Sequence, residues 1–285
     1  MSTIITLSSE KYSAKICSLG AQLLSFTDGK TEYMWQADEK VWGFTAPVLF
    51  PICGGMHNDC YSYNGKEYTM GKHGFARLKE FEVEGVTQTS ACFLLKADED
   101  TRAQYPFEFE FRVTFELNAN ILNITYSVTN PSDEKIYFSF GGHEGYACPE
   151  GVEEYSIIFE NDTALTRLML KNGFFDGTTE KIELNNGVMD LKYSEFEKCT
   201  YVFRNIGSES VILDHKGGTR RLRIGFPYHE ALAIWTMTDR NYVCIEPWCG
   251  ISEDESFDGD IIKKDCIIEL NGHESFGRTH YIEIL

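Results

Sequence analysis

The longest regular alternation of hydrophobic and polar positions runs from Phe107 to Leu117, where every odd residue is apolar and every even one polar. A period of two marks a strand with one dry face and one wet face. After the turn Asn118-Ala119-Asn120, residues Leu122, Ile124, Tyr126 and Val128 alternate in the same way. The two runs predict a hairpin, placed at the edge of a large antiparallel sheet. Shorter apolar runs predict strands over 12–16, 22–26, 48–52, 81–83, 92–96, 136–140 and 155–159, and again over 201–203, 211–213, 222–226, 232–237, 242–246, 267–270 and 281–285. Tyr61 and Tyr63 lead into Asn64-Gly65, with Tyr68 on the return strand, as in a hairpin with a two-residue turn. Between 160 and 200 the pattern weakens to turn signals at Asn172-Gly173, Asp176-Gly177 and Asn186-Gly187, with room for one helical turn over 193–198. No 3.6-residue period is sustained and no linker interrupts the chain. The expectation is an all-β protein, an antiparallel β-sandwich forming a single domain over 1–285.

Composition narrows the partners. Lys and Arg number 26 against 44 Asp and Glu, a net charge of −18. Nucleic acid and anionic membrane surfaces are polyanions, so neither is an expected partner, and the average argues against an anionic ligand. The nine cysteines are scattered and contain no Cys-x-x-Cys pair. The start of the chain lacks a basic segment followed by an apolar one, so reduced thiols and a cytoplasmic location are expected.

Three segments carry candidate chemistry. Gly71-Lys72-His73-Gly74-Phe75-Ala76-Arg77 sets a histidine between glycines, with an arginine four residues on. Gly141-Gly142-His143-Glu144-Gly145 is a second glycine-flanked histidine after a strand, and Ile245-Glu246-Pro247-Trp248 ends an apolar strand in a carboxylate beside a Trp. Together, in this order, they resemble the aldose 1-epimerase (galactose mutarotase) family, most closely its LacX-like branch. The resemblance covers the chain from about Tyr33 onward. It implies the family's "supersandwich" fold and exchange of the α and β anomers of a free aldohexose such as galactose or glucose. A base takes the proton of the anomeric hydroxyl, an acid protonates the ring oxygen, and the ring opens and recloses. A carboxylate and a histidine suffice, with no cofactor or metal.

On this resemblance Glu246 is the catalytic base, at a strand end where desolvation raises its pKa. His143 is the catalytic acid. His73 and Arg77 bind the sugar, and Trp248 offers it an apolar face. Trp35 and Trp42 are assigned to the core. The chain departs from the family after Pro51-Ile52-Cys53-Gly54, where members carry a sugar-binding arginine and this sequence has Gly55. His57 or Asn58 is expected to fill that gap. The family's hydroxyl-binding aspartate has no clean match, Glu195 and Glu197 being merely nearby. A monomer or homodimer is expected. Three alternatives stay open: a non-catalytic carbohydrate-binding protein, a glycoside hydrolase, and a sugar-phosphate epimerase. Asp254 to Asp265 roughly imitates a calcium loop, but no helical pattern flanks it, and it is read as a solvated acidic turn.

Overall fold

The computed structural model describes residues 2–218 and 220–285. Two large antiparallel sheets dominate it. One has nine strands, in the spatial order Val188–Asp190, Tyr155–Phe159, Ser210–His215, Arg221–Gly225, Ser275–Ile284, Ile121–Thr129, Glu110–Asn118, Ser90–Lys96, Glu82–Val86. The other has eight, built around Tyr242–Cys249. The dry faces meet in one core that joins Phe111, Val113 and Phe115 of the first sheet to Val243 and Ile245 of the second. Phe111 and Tyr126 reach across to Phe140, with ring centroids 6.4 and 5.7 Å apart. Each such buried aromatic or aliphatic side chain contributes about 1.5–3 kcal/mol. The all-β sandwich read from the alternation is the architecture observed.

Three local expectations change. The hairpin Glu110–Asn118/Ile121–Thr129 lies inside the nine-stranded sheet, between Ser90–Lys96 and Ser275–Ile284, not at its edge. A period of two reports that one face is wet, and an interior antiparallel strand can have a wet face. The middle of the chain holds a long hairpin, Ala164–Lys171 with Phe174–Glu183, turning at Asn172-Gly173. Most of its residues are exposed or half-buried, so no alternation announced it, and Asp176-Gly177 lies within its second strand instead of turning. A short helix, Glu99–Gln104, starts at an Asp98–Thr101 capping box that went unread, whereas the turn over 193–198 is a helix of that extent. Among the described residues no helix is long and apolar enough to cross a membrane.

Candidate active site

The strand Tyr242–Cys249 is buried along its whole length, and alternation divides its side chains. Val243 and Ile245 enter the core between the sheets. Glu246 and Trp248 point the other way, into a cavity of about 440 Å³. Two short segments pair with this strand in one register, Phe140 opposite Cys249, Gly141 opposite Trp248, and Glu144 opposite Ile245. The same register sets His143 opposite Glu246. Directly opposed residues stand close enough for side chains to touch. His143 Nε2 lies 3.4 Å from Glu246 Oε2, with Glu246 1% and His143 9% exposed. Gly142 is required here, because a Cβ at that position would sit 2.4 Å from the Glu144 carboxylate.

His73 approaches from a different loop. Its backbone φ is +66°, left-handed, and Gly74 follows at +68°. The Gly74 conformation presses its Cα against the Phe50 carbonyl, where a Cβ would meet oxygen at 2.2 Å. The ring is clamped at both ends of Gly54: His73 N donates to the Gly54 carbonyl at 2.7 Å, and Gly54 N donates to His73 Nδ1 at 3.1 Å. An accepting Nδ1 carries no proton, so the neutral ring holds its proton on Nε2. Its ring lies 5.5 Å from that of His143 and 5.8 Å from Trp248. Arg77, half-buried, lines the same cavity and donates from Nη1 to the Gly74 carbonyl at 2.8 Å.

Burial sets the protonation. It pushes Glu246 well above the usual carboxylate range, and the Glu144 charge adds to this. Lys72 pulls the other way, as does the Trp248 indole N–H, which lies beside the carboxylate without ordinary hydrogen-bond geometry. Burial also pulls His143 down to about 3, helped by Lys72 and Arg77. His73 is lowered by burial and then by His143, Lys72 and Arg77. Burial therefore favours a Glu246–His143 pair that holds one proton, on Glu246, next to a neutral His73. His143, Cys244 and Glu246 offer three potential ligand atoms within 4.8 Å of one another. A metal would have to expel protons from Glu246 and Cys244, both of which burial holds well above their ordinary values, so the set does not suit one.

His143, Glu246, His73, Arg77 and Trp248 thus converge on one cavity. Asn58 does not line it: the residue is exposed, in a turn with φ +54°. His57 stacks on Phe174 at 4.0 Å and its Nε2 contacts the Asp254 carbonyl. The space left by Gly55 is bordered instead by the Phe174 ring and the Lys72 stem, at 3.8 and 3.9 Å from where a Gly55 side chain would begin. Glu195 is engaged by Lys198 at 2.8 Å and by Arg167 at 3.4 Å. Trp42, assigned to the core from sequence, lines the cavity together with Trp235. Trp42 stacks on Tyr242 at 5.3 Å and lies tilted against His143 at 5.1 Å. Nothing near Val41-Trp42 in sequence distinguishes a wall tryptophan from a buried one.

A sequence model described as Aldose 1-epimerase matches residues 3–281. Protein LacX (plasmid) of Lactococcus lactis subsp. lactis is 33% identical over 265 residues, covering 87% of this chain and 88% of that protein. The X-ray structure of a galactose mutarotase related enzyme from Lactobacillus acidophilus is 33% identical and superposes with a TM-score of 0.95, over 99% of this chain and 97% of that one. A galactose 1-epimerase from Lactobacillus acidophilus NCFM, 14% identical, shares the fold with a TM-score of 0.75 over 100% and 94% of the two chains. With a match across nearly its whole length, this chain belongs to the aldose 1-epimerase family.

Proposed function

We propose that the protein interconverts the α and β anomers of an aldose, in the cytoplasm and as one domain, with Glu246 and His143 as the proton-transfer pair. The observation that carries this is the 3.4 Å approach of His143 Nε2 to Glu246 Oε2 at the wall of a sugar-sized cavity. The pair's one proton, which burial favours on Glu246, first shifts to His143. A hemiacetal seated against both groups then gives its O1 proton to the Glu246 carboxylate and takes one on its ring oxygen from His143. C1–C2 rotation and reclosure run the transfers backwards on the other face. The pair ends with the one proton it began with, so no outside acid or base is consumed. His73 Nε2–H and the Arg77 guanidinium supply donors to sugar oxygens, and Trp42 and Trp248 present apolar faces to its C–H surface.

Among the described residues Glu246 is the one carboxylate lining the cavity, whereas a hydrolase acting through two carboxylates needs a second acid across from the first. Gly55 motivates a non-catalytic reading, but Lys72, whose methylene stem borders the space it leaves, lines the same cavity. Polarimetry on freshly dissolved α-glucose and α-galactose is the test. Accelerated decay in the wild type, lost in Glu246→Gln and His143→Asn, is expected. Equal rates in all three proteins would refute the assignment.

A further inference from the structure

The charge of the cavity runs against that of the chain. The protein has 26 Lys and Arg to 44 Asp and Glu, yet its cavity is lined by Lys72, Arg77 and Lys198 against the single carboxylate of Glu246. Burial drives that carboxylate toward its neutral form. Among the described residues neither Lys72 nor Arg77 makes an ion pair, and the guanidinium of Arg77 donates to a backbone carbonyl instead. Lys198 is partly neutralised by Glu195 at 2.8 Å and Glu180 at 3.5 Å. Unpaired positive charge is therefore concentrated on the His73 loop, beside the reacting pair.

Two of these cations also oppose the acid step, because Lys72 and Arg77 disfavour a proton on His143, although Lys72 favours the carboxylate form of Glu246. An anion seated against them cancels that field. We propose that the substrate is an aldose bearing an anionic substituent remote from C1, a phosphate ester or a carboxylate, held by Lys72 with Arg77 and Lys198. The proposal rests on the anomer-exchange reading and narrows its substrate class. The sequence average of −18 argued the other way, because it sums a solvated surface and says nothing about which side chains surround one hollow.

Lys72 is exposed, so its attraction for an anion is screened and the expected preference is about tenfold, not thousandfold. The test measures anomer exchange by NMR on glucose and galactose, their 6-phosphates and their uronic acids, in the wild type, Lys72→Met and Lys72→Glu. A kcat/KM about tenfold higher for an anionic sugar than for its neutral parent is expected, shrinking with added salt and abolished by Lys72→Glu. Preference for phosphates over uronates assigns a phosphate ester, and the reverse assigns a carboxylate. A ratio near one in the wild type overturns the proposal. So does an equal fall for neutral and charged sugars in Lys72→Met, which would make Lys72 a hydroxyl donor only. Calorimetry with the same sugars on Glu246→Gln separates the two levels. Charge-dependent binding with no anomer exchange in the wild type sinks the enzymatic reading and keeps the anion subsite. Exchange of neutral sugars with no charge preference sinks the subsite alone.

Discussion

His143 and Glu144 are neighbours in the chain, and each belongs to a buried histidine–carboxylate pair. His143 faces Glu246 at 3.4 Å, while Glu144 accepts from His280 Nε2 at 2.9 Å and from the Tyr126 hydroxyl at 3.4 Å. Exposure hardly separates them: Glu246 is 1% and Glu144 2% exposed, His143 9% and His280 0%. What differs is the side of the strand. Glu144 projects between the two sheets, where His280 from Ser275–Ile284 meets it, so that pair bridges the sandwich. His143 and Glu246 project from the opposite face, onto the cavity. One pair of groups is sealed against partners and the other is kept free for one. A buried histidine–carboxylate pair is thus not in itself a sign of catalysis, since access to a ligand-sized hollow decides it.

Exchanging carboxylate for amide should break this comparison in opposite directions. Glu246→Gln is expected to cut anomer exchange by about a thousandfold, the range for losing a general base. It should also stabilise the fold by about 1 kcal/mol. The sign follows from the raised pKa. Below the ordinary carboxylate value of 4.5 the proton is held in folded and unfolded states alike. As pH rises from there toward the folded value, the unfolded chain releases it first and stability falls. The Tm advantage of Glu246→Gln over the wild type should therefore grow between pH 5 and pH 8, and a constant or negative difference would contradict it. Glu144→Ala strands His280 in the core and is expected to cost about 3 kcal/mol, read as a lower midpoint in urea. Exchange per folded molecule should fall far less than in Glu246→Gln. A Glu144 variant that folds normally but is as inactive as Glu246→Gln would erase the distinction.

Trp42→Leu probes the cavity wall and should have a smaller effect. The ring stacks on Tyr242 and packs tilted against His143, so its loss removes sugar contact and loosens the acid. A drop of about tenfold in kcat/KM, shared between KM and kcat, is expected. A change confined to thermal stability would return Trp42 to the core assignment made from sequence.

How much of this was legible before the fold depends on what each signal encodes. Phe107 to Val128 announced a sandwich because core burial imposes a period of two over many residues. The hairpin Ala164–Lys171/Phe174–Glu183 was silent because little of it is buried. Glu246, His143 and His73 stood out because three short motifs, in this order, resemble those of a known family; singly, a glycine-flanked histidine or a strand-end glutamate fits a structural role as well. Lys72, Lys198, Trp42 and Trp235 did not, because lining a cavity is a property of the assembled surface. The partition of His143 from Glu144 was implicit in alternation along a strand, but the register that sets His143 opposite Glu246 comes from pairing between segments about a hundred residues apart.

The least visible effect concerns pH. An ordinary histidine titrating near 6.5 would, if its protonation disabled the site, cost activity about tenfold per pH unit below that point. Here the working form is the pair with one proton, and adding a second requires protonating His143, which burial, Lys72 and Arg77 hold down to about 3. Removing the one proton requires exceeding the raised value of Glu246. The kcat/KM profile, corrected for spontaneous exchange, should therefore stay flat from about pH 7 to about pH 4. Stability should not stay flat over the same interval. The unfolded chain binds a proton at this histidine near 6.5 and the folded one does not, so the contribution of His143 is complete above 6.5 and is lost as pH falls toward 3. Glu246 acts in the opposite sense over this interval, and His73 and His229 in the same sense. The share of His143 is therefore the part of the midpoint's decline that His143→Asn removes, while kcat/KM of the wild type holds. A rate that begins to fall near pH 6.5 would place His143 in contact with solvent and return the pair to ordinary titration.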